Sequence, residues 1–351
     1  MRTGGVPANK EEKQMILITG GAGYIGSHVV KEIAQAGYGV IILDNLSTGN
    51  HAAVEALHTL LSAAPGAGQV RLIVGDCGDE SLVDRICQQH RIEAAVHLAA
   101  FSEVGESMQD AAKYFTNNTA QTIYLLNSLR RNQVQNLVFS STAAVYGQPL
   151  HSPILEDHPL KPANVYGLSK MMIEAMLPRY RTNYGLNYIS LRYFNAAGAD
   201  SSGLIGEKHR QESHLIPLVI LRAINKRSQF TIYGDDYDTP DGTCLRDYIH
   251  VSDLARAHLL ALRALLAGTV AERVFNLGNG QPHSVREVIA AVENISGKSL
   301  EYSIGPRRPG DPSILLASAQ RAKDELGWNP RFPHLQDIVD SAWKWHQSEN
   351  W

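Results

Sequence analysis

The sequence has few of the features that would build a cross-linked, metal-bound or membrane protein. Its three cysteines, Cys77, Cys87 and Cys244, are widely spaced, which gives neither a disulfide framework nor a CxxC metal motif. No apolar stretch approaches the roughly 20 residues that would cross a bilayer. We therefore expect no metal site, no membrane segment and a reducing, cytoplasmic setting.

Charge of one sign is also scarce. Charged residues make up 19% of the 351 residues, and the formal net charge is −3. This balance argues against a nucleic-acid or anionic-membrane partner, because such partners select a basic surface. With 44% hydrophobic residues the chain is long enough for two packed units. Residues 1–14 are polar and lack the apolar core of a signal peptide, so we predict a flexible extension there.

A strand, a glycine-rich turn, a helix and a second strand follow this segment. Met15 to Thr19 is a short apolar run, typical of a strand buried on both faces. The turn Gly20 to Gly26 has the GxGxxG pattern, and Ser27 to Ala36 is predicted as a helix. The second strand, Gly39 to Leu43, ends at Asp44. This order is the context that a dinucleotide-binding motif requires.

The glycines let the backbone approach a pyrophosphate, and the helix N-terminus offers free N–H groups and partial positive charge. Asp44 lies 18 residues after Gly26, where a carboxylate would accept hydrogen bonds from an adenosine ribose. Its negative charge would repel a 2′-phosphate. The pattern therefore predicts that the cofactor is NAD rather than NADP.

Alternating strands and helices continue up to residue 196 and predict an α/β fold with a Rossmann-type, doubly wound parallel sheet. Beyond Gly198 the alternation is lost. We expect residues 15–196 to form the NAD-binding unit, with residues 245–275 partly returning to it. Residues 197–244 and 276–351 are expected to form a smaller α/β unit that binds the substrate. The predicted elements are strands at Val70–Val74, Ala94–Leu98, Asn136–Ser140, Asn187–Leu191, Phe230–Tyr233 and Val274–Leu277, and helices at Ser81–His90, Ala111–Arg131 and Leu215–Lys226, with another ending near Gly268.

Tyr166 and Lys170 are four residues apart and thus lie on one face of a predicted helix. A free tyrosine has a pKa of about 10 and is a poor base at neutral pH. Lowering that pKa by about three units needs roughly 4 kcal/mol, which a nearby lysine and a cationic nicotinamide ring could supply. We predict Tyr166 as a general acid or base. The plainer alternative is two residues on a solvated helix face.

Thr142 follows the strand that ends at Ser140, so it should project into the same crevice as Tyr166. A small hydroxyl also caps turns for local reasons, and only the combination with Tyr166 favours a functional role. Asp76 and the Ala99-Ala100 turn follow other strands at this edge of the sheet. They are predicted to flank the two halves of the cofactor.

Several motifs together carry a resemblance to a known family. They are TGGAGYIG at Thr19 to Gly26, SSTAAVYG at Ser140 to Gly147, and further along the chain YGLSK, RYFN, RDYIHVSDLARAH and RRPGD. In this order they resemble the extended short-chain dehydrogenase/reductases, and within them the UDP-hexose 4-epimerases. The resemblance implies an NAD-dependent isomerase of galactose metabolism that inverts C4 of UDP-glucose and UDP-galactose through a 4-keto intermediate. It also implies a homodimer packed through helices near Ala111 to Arg131 and Tyr166 to Tyr184.

The resemblance assigns roles to individual residues. Tyr166 would be the catalytic acid/base, Thr142 its partner on the sugar hydroxyl, and Lys170 a bridge to the nicotinamide ribose. Residues implied to hold NAD are Gly20, Gly23, Tyr24, Ile25, Gly26, Asp44, Asn45, Asp76, Cys77, Leu98, Ala99, Ala100, Asn117, Ser140, Tyr166, Lys170 and Tyr193. Residues implied to bind the UDP-sugar are Thr142, Tyr166, Asn195, His214, Leu215, Thr231, Tyr233, Arg246, Arg308 and Asp311.

Three positions depart from the family pattern. His214 stands where asparagine is frequent, and Ser102 where some relatives carry a lysine. Leu315 stands where relatives carry tyrosine or cysteine at the position that limits the sugar pocket. Since leucine is smaller than tyrosine, we hypothesise that a 2-acetamido sugar is admitted.

Other functions are compatible with parts of this pattern. A nucleotide-sugar dehydratase or decarboxylase would need a carboxylate beside Thr142, but Ala143 and Ala144 follow it. Epimerisation of UDP-glucuronate, UDP-N-acetylglucosamine or a UDP-pentose differs only in a sugar substituent, and the sequence leaves it open. A non-catalytic NAD-binding protein would have no need for the Thr–Tyr–Lys set.

Overall fold

The structure is a computed structural model that describes residues 14–271, 273–308 and 310–348. The predicted extension therefore lies outside the described residues, apart from Gln14. The strands are β1 (Met15–Thr19), β2 (Gly39–Asp44), β3 (Val70–Val74), β4 (Ile92–His97), β5 (Asn136–Ser140), β6 (Asn187–Tyr193), β7 (Asn195–Ala197), β8 (Thr231–Tyr233), β9 (Leu245–His250), β10 (Val274–Leu277), β11 (Pro282–Ser284), β12 (Ser303–Gly305) and β13 (Ile314–Leu315). The helices are α1 (Tyr24–Gln35), α2 (His51–Ser62), α3 (Glu80–His90), α4 (Val104–Gln109), α5 (Ala111–Tyr114), α6 (Gln121–Arg131), α7 (Val165–Tyr184), α8 (Leu215–Ala223), α9 (Val251–Ala267), α10 (Val285–Ser296), α11 (Gln320–Leu326) and α12 (Leu335–Gln347).

A seven-stranded parallel sheet organises most of the chain. Its strand order is β10-β6-β5-β4-β1-β2-β3, and each neighbouring pair is parallel. The order reverses at β1, which pairs with β2 on one side and β4 on the other, so a crevice opens beyond the carboxyl ends of these strands. The predicted doubly wound α/β fold is confirmed.

Helices cover both faces of this sheet because its central strands are apolar on both sides. Ile16 and Ile18 face a cluster that includes residues of α1 and α9, whereas Leu17 faces a cluster with residues of α3, α6 and α7. All three side chains are fully buried. Helix α9 thus returns to the large sheet and packs on β4, β5 and β6, while β10 forms an edge strand of that sheet.

A third apolar cluster lies among α8, α10 and α12, beside a four-stranded sheet of β7, β9, β11 and β13. Helix α10 begins with a capping box, in which the Ser284 side chain accepts from the Glu287 N–H while the Glu287 carboxylate accepts from the Ser284 N–H. Within the described part of the chain, no helix has the length and apolar character needed to span a bilayer.

The predicted bounds of β1, β3, β5 and β10 are confirmed. Asp79 caps α3 by accepting from Leu82 N at 3.0 Å. The predicted helix over Ala111–Arg131 is also confirmed, but it contains a π-helical stretch at Phe115–Ala120. Inside that stretch the Asn118 amide pairs with both backbone groups of Phe101, at 2.9 and 3.0 Å, and donates to Ser169 of α7 at 3.1 Å. The π-helical turn therefore joins a loop at the crevice to α7.

Four of the buried histidines, His28, His97, His250 and His258, are each no more than 2% exposed. Burial lowers their pKa values to about 4, 3, 3 and 4, respectively, from a usual value of 6.5. Below pH 6.5 the unfolded chain thus binds protons that the folded chain refuses, and stability is lost as the pH falls.

We expect His258→Gln to lose less stability on acidification than the wild type. Between pH 7 and pH 5 one buried neutral histidine accounts for about 2 kcal/mol of the fall in unfolding free energy. Urea denaturation at both pH values measures this difference. His51→Gln is the control, because the His51 side chain is 62% exposed. A variant at His258 with the full wild-type pH dependence would contradict the prediction.

Candidate active site

The glycine turn Gly20 to Gly26 is built so that its open side faces the crevice. A Cβ on Gly20 would lie 2.6 Å from Ala99 N, and one on Gly26 would lie 2.0 Å from Gly20 O, so neither position accepts a side chain. A Cβ on Gly23 would meet only Gly20 O, at 3.4 Å. Gly23 is also the N-cap of α1 and supplies no side chain to the free N–H groups of that helix. This is a cradle for an anion such as a pyrophosphate.

Asp44 fastens this turn to the end of β2. Its Oδ2 accepts from Ala22 N and its Oδ1 from Leu46 N, both at 2.9 Å. Burial raises its pKa, and the two backbone hydrogen bonds oppose that rise. Each carboxylate oxygen can accept a second hydrogen bond, which a ribose hydroxyl would supply. Next to it, Asn45 Nδ2 donates to Asp76 Oδ2 at 3.2 Å.

The crevice is a cleft of about 520 Å³ that runs from the glycine turn to the start of α7. Most residues predicted to hold the cofactor line it, together with four of those predicted for the sugar. These lining residues are Gly20, Gly23, Tyr24, Ile25, Gly26, Asp44, Asn45, Asp76, Cys77, Leu98, Ala99, Ala100, Asn117, Thr142, Tyr166, Lys170, Tyr193, Asn195 and His214.

Thr142 and Tyr166 meet because the start of α7 packs closely on the turn that follows β5. A Cβ on Gly167 would lie 2.4 Å from Ala144 O, so only glycine permits this approach. Asn164 caps α7 by accepting from Gly167 N at 2.8 Å, and Thr142 caps its own turn by accepting from Ala144 N at 3.1 Å. The Thr142 side chain then lies close enough to the Tyr166 hydroxyl to lower its pKa.

The electrostatics of Tyr166 differ from the sequence-based prediction. Burial raises its pKa to about 12, and the hydrogen bond with Thr142 only partly offsets this rise. Lys170 does not lower the Tyr166 pKa as predicted, because Lys170 is itself 2% exposed and burial lowers its pKa to about 7. The Lys170 ammonium donates to Ser140 O at 2.9 Å. At neutral pH the protein alone therefore keeps the phenol protonated and the lysine partly neutral.

Ser140 was predicted among the cofactor contacts, but the structure places its side chain behind the cleft wall. It is fully buried, and its Oγ lies 2.8 Å from His258 Nε2. Its carbonyl holds Lys170 instead, because the last residue of β5 points its backbone toward α7. Cys77 does line the cleft, and burial raises its pKa to about 12, so the thiol is no nucleophile.

The remaining predicted sugar residues form a second group away from the lining of the cleft. Arg246 pairs with Asp311 at 3.2 Å, and the Arg308 guanidinium lies 4.3 Å from the Tyr233 ring centroid. Thr231 Oγ1 lies 2.8 Å from Ser303 Oγ, and Leu215 begins α8. Paired in this way, the arginines have partners within the protein, so their role toward a diphosphate stays a prediction.

Sequence reasoning missed several residues that line the cleft. Phe101, Glu103 and Lys113 come from the loop before α4 and from α5, and residues 206–211 form the rim opposite them. Lys113 pairs with Glu106 at 2.6 Å and lies over the Phe101 ring. The dense alternation of charged residues and histidines after Gly206 was the one local signal for that rim.

The fold and the cleft agree with comparisons to known proteins. Residues 16–278 match the model of the NAD dependent epimerase/dehydratase family, and the chain belongs to that family. It is similar to the UDP-glucose 4-epimerase of Halalkalibacterium halodurans, with 46% identity over 332 residues and 95% of each chain covered. The predicted resemblance to epimerases of this kind is confirmed.

Two solved structures show the same likeness. The UDP-glucose 4-epimerase from Brucella ovis in complex with NAD matches with a TM-score of 0.88 and 41% identity, over 94% of this chain and 97% of that one. The UDP-glucose 4-epimerase from Bifidobacterium longum in complex with NAD+ and UDP matches with a TM-score of 0.88 and 36% identity, over 96% and 99% of the two chains.

We expect Asp44→Asn to weaken NAD binding by about tenfold or more, because hydrogen bonds to a charged group are lost. The substitution should also reduce the ratio of the NADP to the NAD dissociation constant, since the charge that repels a 2′-phosphate is gone. Fluorescence titration of nucleotide-free protein with both dinucleotides gives the two dissociation constants. Asp79→Asn, which alters only the cap of α3, is the control. Wild-type affinity for NAD in Asp44→Asn would rule out the assigned role.

Proposed function

We propose that this protein is an NAD-dependent epimerase that inverts C4 of a UDP-hexose, with UDP-glucose and UDP-galactose as its substrates. The single observation that carries the proposal is that Thr142 and Tyr166, whose side chains interact, line the same cleft as the glycine turn. This arrangement sets a proton-transfer group beside a dinucleotide cradle. Family membership and the relatives with NAD and UDP support it.

The residues present fit a dinucleotide. Gly23 leaves the start of α1 open to a pyrophosphate, and the Asp44 carboxylate keeps acceptor capacity for a ribose. When bound, NAD supplies a reversible hydride acceptor and a positive charge beside the phenol. The Asp44 carboxylate is the group that selects NAD over NADP, because its charge would repel a 2′-phosphate.

The chain itself supplies orientation and proton transfer. Tyr166 takes the proton of the sugar 4-OH as C4 is oxidised, and it returns a proton when the 4-keto sugar is reduced from its other face. Thr142 orients that hydroxyl, and Lys170, held by the Ser140 carbonyl, is placed toward the ribose. A Tyr166 pKa of about 12 in the protein alone implies that general-base strength develops only with the cationic cofactor in place.

The UDP moiety is assigned to the second group of residues, Arg246, Arg308, Asp311, Tyr233 and Thr231. A guanidinium stacked on an exposed tyrosine is a suitable surface for a planar base, and arginine suits a diphosphate through its planar fork. Binding there requires Arg246 to exchange Asp311 for phosphate oxygens.

The alternative reactions keep less support. Ala143 is buried and Ala144 packs on α7, so no carboxylate stands beside Thr142 to remove a C5 proton. Epimerisation of UDP-glucuronate or a UDP-pentose would differ from epimerisation of UDP-glucose only in the C5 substituent of the sugar, so it stays an alternative. A 2-acetamido sugar is favoured by Leu315, which packs against the apolar cluster of Ala143 and Phe194 close to the cleft.

We further propose a cytoplasmic homodimer with the two-unit division predicted from the sequence. Three large side chains on these helices are 41–50% exposed: Tyr124 on α6, and Met172 and Tyr184 on α7. Their exposure supports a dimer contact through α6 and α7. The three cysteines are free, as expected in a reducing compartment. The separate apolar clusters of the large sheet and of α8, α10 and α12 support the division into units.

Tyr166→Phe tests the central role. We expect turnover of UDP-galactose to fall by about 10²- to 10⁴-fold, the range typical of general acid–base catalysis, with NAD still bound. Product analysis without added NAD measures it. Tyr180→Phe is a matched control on the same helix, since it removes only a hydrogen bond to Asn127. Near-normal turnover in Tyr166→Phe would refute the mechanism.

A panel of UDP-sugars tests the substrate. UDP-galactose and UDP-N-acetylgalactosamine should both be epimerised, and Leu315→Tyr should lose the second activity at least tenfold more than the first because its larger ring narrows the pocket. UDP-xylose and UDP-glucuronate complete the panel. No turnover of the acetamido sugar above background in the wild type would reject the assignment to Leu315.

A further inference from the structure

Four side chains converge on the rim of the cleft. The rim segment, residues 206–214, connects the loop after β7 to α8, and it carries Glu207, His209, Glu212 and His214. One ligand atom from each of these four lies within 4.8 Å of the other three. We refer to these residues as the rim cluster. None of them is assigned to proton transfer at Tyr166, and only His214 is among the residues predicted to bind the UDP-sugar.

The spacing of several of these atoms is the spacing that ligands have around a small cation. Tetrahedral bonds of about 2.0–2.1 Å place ligand atoms about 3.3 Å apart. His209 Nδ1 lies 3.3 Å from Glu212 Oε2 and 3.5 Å from Glu207 Oε1. The 2.6 Å between His214 Nδ1 and Glu207 Oε1 is shorter than this spacing and would have to open.

Glu207 gives a second and independent indication. Its side chain is 3% exposed, and its Oε1 has no hydrogen bond of acceptable geometry among the described residues, although His214 Nδ1 is close to it. A buried carboxylate oxygen without such a bond is costly. Its backbone is fixed, since Trp345 Nε1 donates to Glu207 O at 2.8 Å. The oxygen is thus held in the centre of the cluster, facing two imidazoles.

Glu212 is oriented in the way that metal-ligating carboxylates are. Its Oε1 accepts from the N–H groups of Ser213 and His214, both at 2.9 Å, which directs Oε2 toward His209. Such outer hydrogen bonds fix ligands in metal sites. The His214 side chain is 44% exposed, so an ion has a path from the cleft.

We propose that the rim cluster is a binding site for a divalent transition-metal cation, with two imidazole nitrogens and two carboxylates as ligands. Such a donor set suits Zn²⁺ and neighbouring first-row ions, whereas Ca²⁺ and Mg²⁺ take oxygen ligands. This site replaces the sequence-based expectation of no metal. The expectation rested on the absence of a CxxC motif, whereas these ligands follow the spacing E-x-H-x-x-E-x-H.

The site would be structural rather than catalytic. The His209 ring lies edge-on to Tyr24 in the glycine turn, and Ser213 Oγ donates to Glu103 Oε2 at 2.7 Å across the cleft. A cation in the rim cluster would therefore fix the rim segment beside the cradle. The alternative is that no metal binds and His214 is protonated instead. The carboxylates of Glu207 and Glu212 outweigh the effect of burial and raise the pKa of His214.

The metal content of the protein tests this proposal and does not depend on turnover. A negative result would therefore reject the metal site without affecting the epimerase assignment. Holoenzyme is incubated with Zn²⁺, passed through gel filtration and analysed by mass spectrometry of the metal. We expect about one zinc per chain in the wild type and at least a fivefold loss in Glu207→Gln and His209→Asn. His51→Asn, which alters an exposed His–Glu pair, should keep the wild-type content.

If the variants fail to fold, thermal unfolding of the wild type still tests the proposal. In the wild type, Zn²⁺ should raise Tm by about 2 °C or more, EDTA should reverse the rise, and Mg²⁺ should leave Tm unchanged. Wild-type protein that retains less than about one fifth of an equivalent of zinc, or folded variants that retain as much as the wild type, would overturn the proposal. So would a Tm that Zn²⁺ does not move.

Discussion

The site depends on one close backbone contact, between the start of α7 and the turn that follows β5. The absence of a side chain at Gly167 lets the helix approach Ala144 O, and this approach sets Tyr166 against Thr142. The same packing buries Lys170 where it can reach the Ser140 carbonyl. A parallel sheet with its strand order reversed at β1 then brings the glycine turn to the same cleft. Chemistry and cofactor cradle thus share one edge of one sheet.

Much of the Rossmann half was predictable because its signals are local. Short, mainly apolar runs predicted β1, β3 and β5, and the GxGxxG spacing located the turn before α1. Four-residue spacing placed Tyr166 and Lys170 on one face of α7. Helices α2 and α10 were not predicted, although Ser284 and Glu287 of α10 carry a readable capping box.

What could not be predicted depends on tertiary surroundings. The spacing of Tyr166 and Lys170 suggests an ion pair, but burial acts on both groups and keeps both closer to neutral. The ion pair of Arg246 with Asp311 joins residues 65 positions apart in the chain, and no local pattern signals it. The rim cluster likewise exists only because its loop folds back on itself and is fixed by Trp345.

The π-helical stretch at Phe115–Ala120 suggests how the insertion or deletion of one residue would change the site. Compared with a regular α-helix, a π-turn accommodates one additional residue, so the helix before it is rotated by about 100° relative to an unbroken one. A chain that lacked this residue would turn Asn118 away from Phe101 and Ser169. The gain or loss of a single codon here would thus make or break the hydrogen bonds by which Asn118 joins the loop at Phe101 to α7.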